Sequence, residues 1–284
     1  MKIAVIGAGT MGSGIAQASA GAGHEVNLFD LSEDARQRGM ETIKTSLSRL
    51  VKSEKITEDA KAETLSRLTL VGDIDRLKEA DIIIEAVFED VEVKREVWES
   101  VDKVAAEDAL LATNTSSLSV TELASFVSTP ERFCGLHFFN PVPVLPLVEV
   151  VRGLQSSDET IQKAKTFVED IGKTPIVCED KPGFIVNRLL VPYINDAIHA
   201  LSEGVASAED IDKAMKLGAN MPIGPLALAD LVGLDISLAA GESLYQAFQD
   251  PKFRVAPLLR QMVRAGKLGR KSGEGFFEYE VDKA

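Results

Sequence analysis

Through the first 180 positions, apolar residues gather in short β-rich runs at 3–6, 26–29, 82–87, 110–112, 133–138, 147–151 and 176–177. The segments between them carry apolar residues at helical spacing, a pattern that predicts an α/β domain with a mostly parallel sheet and crossover helices. Met40, Ile43, Leu47, Leu50 and Val51 mark one amphipathic helix that is longer than a plain crossover needs. After Lys181-Pro182-Gly183 the period changes. Residues 184–201, 208–217 and 226–248 read as helices divided by Gly and Pro, and Pro192 is expected to kink the first of them. Two domains follow, residues 1–181 and an all-α domain of residues 182–284.

The first apolar run leads directly into Gly7-Ala8-Gly9-Thr10-Met11-Gly12, which opens a helix over 13–21. That context makes the glycines a dinucleotide fingerprint and the first domain Rossmann-type. Gly7 permits the tight turn, Gly9 lets a pyrophosphate approach the backbone, and Gly12 allows the helix to pack on the strand. The second run ends at Asp30, where a carboxylate can accept from both ribose hydroxyls and repel a 2′-phosphate. No basic residue stands at 31–33, so NAD is expected over NADP. FAD proteins share the fingerprint, and the motif alone does not choose a nicotinamide.

Charge and composition narrow the class further. A formal net charge of −13 opposes general nucleic-acid binding. Cys134 and Cys178 each lie in an apolar run, as buried thiols do, and no metal site is expected. Met1-Lys2 passes at once into the first strand, and no uncharged apolar run approaches the ~18 residues of a membrane span. The expectation is a cytoplasmic protein with no membrane partner.

Three histidines are available for acid–base work near neutral pH. His24 falls in a polar turn, where a solvated role is expected, and His199 lies on a helix among apolar neighbours. His137 ends a strand-like run, and the carboxyl ends of parallel strands are where open α/β sheets bind ligands. Position alone leaves His137 open between catalysis and a satisfied core histidine. Glu149 is set in Pro146-Leu147-Val148-Glu149-Val150-Val151; if buried it requires a partner, for which His137 is the candidate, and otherwise it faces solvent on an edge strand.

Taken together, residues 7–14, Asn114-Thr115-Ser116-Ser117, the block from Gly135 through His137 and Asn140 to Pro143, Lys181-Pro182-Gly183-Phe184-Ile185-Val186-Asn187-Arg188 and Gly224-Pro225 closely resemble the 3-hydroxyacyl-CoA dehydrogenase family, from residue 1 to Tyr279. The resemblance implies oxidation of a 3-hydroxyacyl-CoA by NAD, with His137 as base and Glu149 orienting it. It assigns Ser116 and Asn187 to the substrate. Without it, Ser116 could cap a helix at Leu118 and Asn187 could simply open its own helix.

The same resemblance places Glu89, Lys94, Asn140 and Lys271 near NAD, and Ser46 and Lys52 near coenzyme A; each reads otherwise as a solvated face residue. Independently of it, residues 36–55 carry Arg36, Arg38, Lys44, Arg49, Lys52 and Lys55 against Glu41 and Glu54, a local excess of positive charge suited to phosphates. The helical domain is expected to form a homodimer, since it holds more apolar surface than ~100 residues readily bury and the family is usually dimeric. A dehydrogenase of free β-hydroxy acids and a non-catalytic NAD-binding protein remain as alternatives.

Overall fold

The computed structural model describes residues 1–280. The chain divides into two compact units, Met1–Lys181 and Pro182–Ala284. In the first, the order is β1 (Lys2–Ile6), α1 (Thr10–Gly21), β2 (Glu25–Phe29), α2 (Glu33–Lys52), α3 (Glu58–Ser66), β3 (Leu68–Val71), β4 (Ile82–Glu85), α4 (Val91–Val101), β5 (Leu110–Thr113), α5 (Val120–Ala124), β6 (Phe133–Phe138), β7 (Leu147–Arg152), α6 (Asp158–Asp170) and β8 (Thr174–Glu179).

The eight strands form one sheet in the order β3-β2-β1-β4-β5-β6-β7-β8. All neighbours are parallel except β6 and β7. Every residue of β4, β5 and β6 is buried, which is why these strands read as unbroken apolar runs rather than alternating ones. Strand order reverses between β1 and β4, and that switch point opens a crevice at the carboxyl ends of the strands. Two features escape the hydrophobic pattern. The edge strand β3 is only four residues long and carries an exposed Thr69, and β7 reverses direction.

Local chemistry fixes the helices around the switch point. Ser32 caps α2 by accepting from Ala35 N at 3.2 Å. Gly39 brings α2 against the glycine turn, since a Cβ there would lie 2.8 Å from the Ala8 carbonyl oxygen. Ile15 on α1 is fully buried with Ile3, Val5, Leu28, Ile82 and Ile84. Truncating such a side chain to alanine costs ~2–5 kcal/mol.

The second unit holds α7 (Val186–Ser202), α8 (Ala208–Gly218), α9 (Pro225–Val232), α10 (Leu234–Phe248) and α11 (Pro257–Arg264). Its core gathers Ile194, Ile198, Leu226, Ala229, Leu234 and Leu259. Helix α7 continues through Pro192. The single helix expected over 226–248 is two, because Gly233 takes φ of 105° and ends α9 before α10 begins. Buried Asp212 caps α9 from a distance, accepting from Leu226 N at 2.9 Å and Ala227 N at 2.8 Å. Among the described residues no helix is long and apolar enough to cross a membrane.

Candidate active site

The glycine turn has the form a pyrophosphate requires. Gly7 takes φ of 100°, and at Gly12 a Cβ would fall 1.8 Å from the Gly7 carbonyl oxygen, so a larger residue would force the turn apart. At Gly9 nothing lies within 4 Å of the Cβ position, and no side chain caps α1 there. The first N–H groups of the helix are therefore directed at open space, a ready anion site. Thr10 and Met11 begin α1, and Ala8 N donates to Asp30 Oδ2 at 3.0 Å. Asp30 Oδ1 accepts from Ser32 N, also at 3.0 Å. Both donors orient the carboxylate at the end of β2, where a ribose would lie, and the set fits a dinucleotide without a 2′-phosphate.

A basic residue does approach this corner. Arg36, one turn into α2, directs its guanidinium to the carbonyls of Asp30 and Leu31, against Gly72. It lies six positions beyond Asp30 and escapes a reading confined to 31–33. Lys44 pairs with Glu41 at 3.4 Å. Two of the six cations counted over residues 36–55 are thus engaged locally, which weakens the outward field that the charge count suggests. Ser46 is half-buried on α2 and Lys52 is exposed at its last residue.

Beyond β4 and β5 the polar groups form a connected set. Glu85, the last residue of β4, and Lys94 on α4 are both fully buried, with Nζ 2.5 Å from Glu85 Oε1. Lys94 Nζ also lies 3.4 Å from Glu89 Oε2. Glu89 Oε1 accepts from Thr115 Oγ1 at 2.5 Å, Ser116 N at 2.7 Å and Ser117 N at 2.8 Å. Burial acts to raise the Glu89 carboxyl, but the Lys94 ammonium and these hydrogen bonds outweigh it and hold the group below the usual carboxylate range. Lys94 is therefore no solvated face residue. Ser116 is not a helix cap either: α5 begins later, at Val120, and Ser119 caps it.

On the adjacent strands His137 and Glu149 are directly opposed across the antiparallel pair. Directly opposed residues project to the same face of a sheet. His137 Nδ1 and Glu149 Oε2 are 2.7 Å apart, with His137 4% exposed and Glu149 0%. The His137 ring also meets Phe139, centroids 4.6 Å apart. Asn114 Oδ1 accepts from Phe138 N at 2.9 Å and ties the turn after β5 to the end of β6. Asn140 follows, exposed.

The second unit holds the remaining candidates. Asn187 is half-buried in the first turn of α7. Lys271 Nζ pairs with Asp235, 2.5 and 2.6 Å from its two oxygens. His199 is half-buried on α7. His24, expected to be solvated, is instead buried against Phe167, with centroids 6.2 Å apart, and burial lowers its pKa. The polar turn that suggested exposure is covered by α6, more than a hundred residues away in the chain.

Glu85 and Thr113 are the residues of the polar set that sequence reading passed over, and Asn114 entered it only within a motif, without a role of its own. The signal for Glu85 was present: it is a carboxylate inside Ile82-Ile83-Ile84-Glu85-Ala86-Val87, the same situation that singled out Glu149.

Comparison with known proteins shows the family. The model of the 3-hydroxyacyl-CoA dehydrogenase NAD binding domain matches residues 2–181, and that of the 3-hydroxyacyl-CoA dehydrogenase C-terminal domain matches residues 183–279. A 3-hydroxybutyryl-CoA dehydrogenase of Clostridioides difficile is 47% identical over 279 residues, covering 98% of this chain and 99% of that one. One from Bradyrhizobium diazoefficiens is 48% identical over 282 residues, covering 99% and 96%. The crystal structure of (S)-3-hydroxybutyryl-CoA dehydrogenase from Ralstonia eutropha superimposes with a TM-score of 0.95 at 50% identity, covering 99% of each chain. NAD is the cofactor that the first unit is built to bind, and the chain belongs to the 3-hydroxyacyl-CoA dehydrogenase family.

Proposed function

We propose that the protein interconverts (S)-3-hydroxyacyl-CoA, in the first place 3-hydroxybutyryl-CoA, and the corresponding 3-oxoacyl-CoA. The buried His137–Glu149 contact carries this reading: an imidazole with a carboxylate on Nδ1, near the end of a strand in the sheet that also carries the NAD-binding turn. Nδ1 is directed at Glu149, so the proton of the 3-hydroxyl is taken on Nε2. Glu149 holds the ring and stabilises the imidazolium as it forms. When bound, NAD would supply the acceptor for the hydride that leaves C3 of the substrate. Ser116 and Asn187 donate hydrogen bonds to the substrate oxygens where negative charge develops.

Ser46, Lys52 and the basic face of α2 receive the phosphates of coenzyme A. The relatives named 3-hydroxybutyryl-CoA dehydrogenase support the four-carbon acyl chain. Leu189, Leu231 and Ile236 leave apolar surface exposed on the second unit, and two copies of the chain pair through it; light scattering that finds only monomer removes that assignment.

Steady-state kinetics with C4 to C10 3-oxoacyl-CoA substrates, NADH and NADPH side by side, test the activity. NADH-dependent turnover highest at C4 is the expected result. His137→Gln should retain NADH binding and lose ~10²–10⁴ in kcat. Turnover of a free β-hydroxy acid in place of its thioester, or a His137→Gln enzyme with normal kcat, overturns the reading.

A further inference from the structure

Glu85 has no part in the mechanism above, yet it is among the most completely enclosed charged groups of the first unit. Its Oε1 takes Lys94 Nζ at 2.5 Å and Val87 N at 2.8 Å, and its Oε2 accepts from Thr113 Oγ1 at 2.7 Å. Strand β5, helix α4 and the chain just past β4 each supply one of these donors. A buried ion pair is often no more stabilising than well-packed apolar residues of the same volume. Stability alone therefore gives little reason for this one.

The pair has a direction. From Glu85 the contacts pass to Lys94, from Lys94 to Glu89 Oε2, and from Glu89 Oε1 to the Thr115 hydroxyl, the Ser116 N–H and both the N–H and hydroxyl of Ser117. Glu85 and Lys94 are wholly enclosed, and Ser116 is exposed. A rigid buried anchor thus ends on a turn that faces the crevice. The set also holds two carboxylates against one ammonium, an excess of one negative charge near the carboxyl ends of β4 and β5. Oxidised nicotinamide is positively charged, and hydride transfer removes that charge.

We propose that Glu85 is a positioning residue for hydride transfer: through Lys94 and Glu89 it fixes the turn that presents Ser116, and its charge favours binding of oxidised over reduced cofactor. The role of Ser116 rests on the activity proposed above; the cofactor preference does not.

The test uses the full chain with Glu85→Gln, Glu85→Asp and Thr113→Val. Turnover of a C4 3-oxoacyl-CoA is measured together with the Kd of NAD+ and of NADH. In Glu85→Gln, kcat should fall about tenfold to hundredfold, as it does when a contact group is displaced by about an ångström. KM for the acyl-CoA should stay within about twofold. The Kd of NAD+ should rise about three- to tenfold more than that of NADH, the size expected from removing one charge at partly buried range.

Glu85→Asp keeps the charge with a shorter reach, so it should lower kcat and leave the NAD+ to NADH affinity ratio unchanged. Folding damage alone would not separate the two in this way. Thr113→Val removes one donor and no charge, and it should lower kcat a few-fold even if Glu85→Gln does not fold. Wild-type kcat in a folded Glu85→Gln, or in Thr113→Val where Glu85→Gln is unfolded, overturns the proposal. An unchanged NAD+ to NADH ratio in folded Glu85→Gln does the same. Should the wild-type enzyme turn over no 3-oxoacyl-CoA, the activity reading fails on its own, and the affinity ratio still decides the role of Glu85.

Discussion

The His137–Glu149 pair lies within the sheet and the Glu85–Lys94–Glu89 set reaches from the sheet to α4; they join an acid to a basic group at 2.7 and 2.5 Å, but they are enclosed differently. His137 lies near the open end of β6 and keeps slight exposure, and imidazole is the side chain whose ordinary range spans neutral pH. Lys94 is sealed on every side, and Glu85 is bound by donors from three segments. The first arrangement suits a group whose charge changes in each turnover. The second suits groups whose charge and position stay fixed. The contrast predicts that damage to the first appears in rate with little change in stability, and that removing a partner from the second costs stability as well as rate.

Combining His137→Gln with Glu149→Gln gives the largest test of that contrast. Each change alone should cut kcat, His137→Gln by ~10²–10⁴, and the double variant should be little slower than His137→Gln alone, because residues working as a unit lose their effect together. Losses that multiply in full would mean that the two groups act separately. Thermal unfolding of His137→Gln should stay close to wild type.

Lys94→Met should lower stability where His137→Gln does not. Removing one partner of a buried pair leaves an uncompensated charge and costs ~3–5 kcal/mol, whereas removing both partners is tolerated better. Urea unfolding of Lys94→Met and of Glu85→Gln/Lys94→Met measures both. A single variant as stable as the double would show that the ammonium is not held as its contacts indicate.

Asp30→Ala sharpens the comparison at a third carboxylate, one that is half-buried and faces a ligand. With the acceptor of Ala8 N and Ser32 N removed, kcat/KM with NADH should fall about tenfold, in line with loss of a charged hydrogen bond. NADPH should be affected less. Equal losses with both cofactors would place the selectivity elsewhere, with Arg36 the first residue to examine.

The smallest expected effect comes from His24. Its pKa is lowered by burial, so the neutral ring contributes stability in full above its ordinary value of 6.5. That contribution is lost as pH falls below 6.5, because the unfolded chain then takes up a proton that the folded chain resists. Tm of the wild type should therefore drop more between pH 7 and 5 than Tm of His24→Gln. Parallel pH profiles would remove His24 as the source.

What the sequence disclosed and what it concealed follow from how far apart the interacting residues lie. The glycine turn, Asp30 and the buried strands are local patterns, legible from period and spacing. The four-residue strand β3 is too short and too exposed to stand out. The break at Gly233 passed unnoticed because the residues on both sides are apolar and helix-forming, and only the positive φ divides them. Burial of His24 depends on Phe167, and the link from Glu85 to Lys94 spans nine residues across a strand end and a helix. Neither periodicity expresses such a separation.

The antiparallel rung between β6 and β7 has a consequence for insertions and deletions. His137 and Glu149 belong to one continuous stretch, and residues 139–146 connect their strands. Lengthening that connection changes the shape of the crevice wall without unpairing the two residues. One residue added between Leu147 and Glu149 shifts the ladder by a step and turns the carboxylate to the opposite face of the sheet. A change in length is therefore open to the connection and closed to the strand, where a single inserted residue would part the imidazole from its carboxylate.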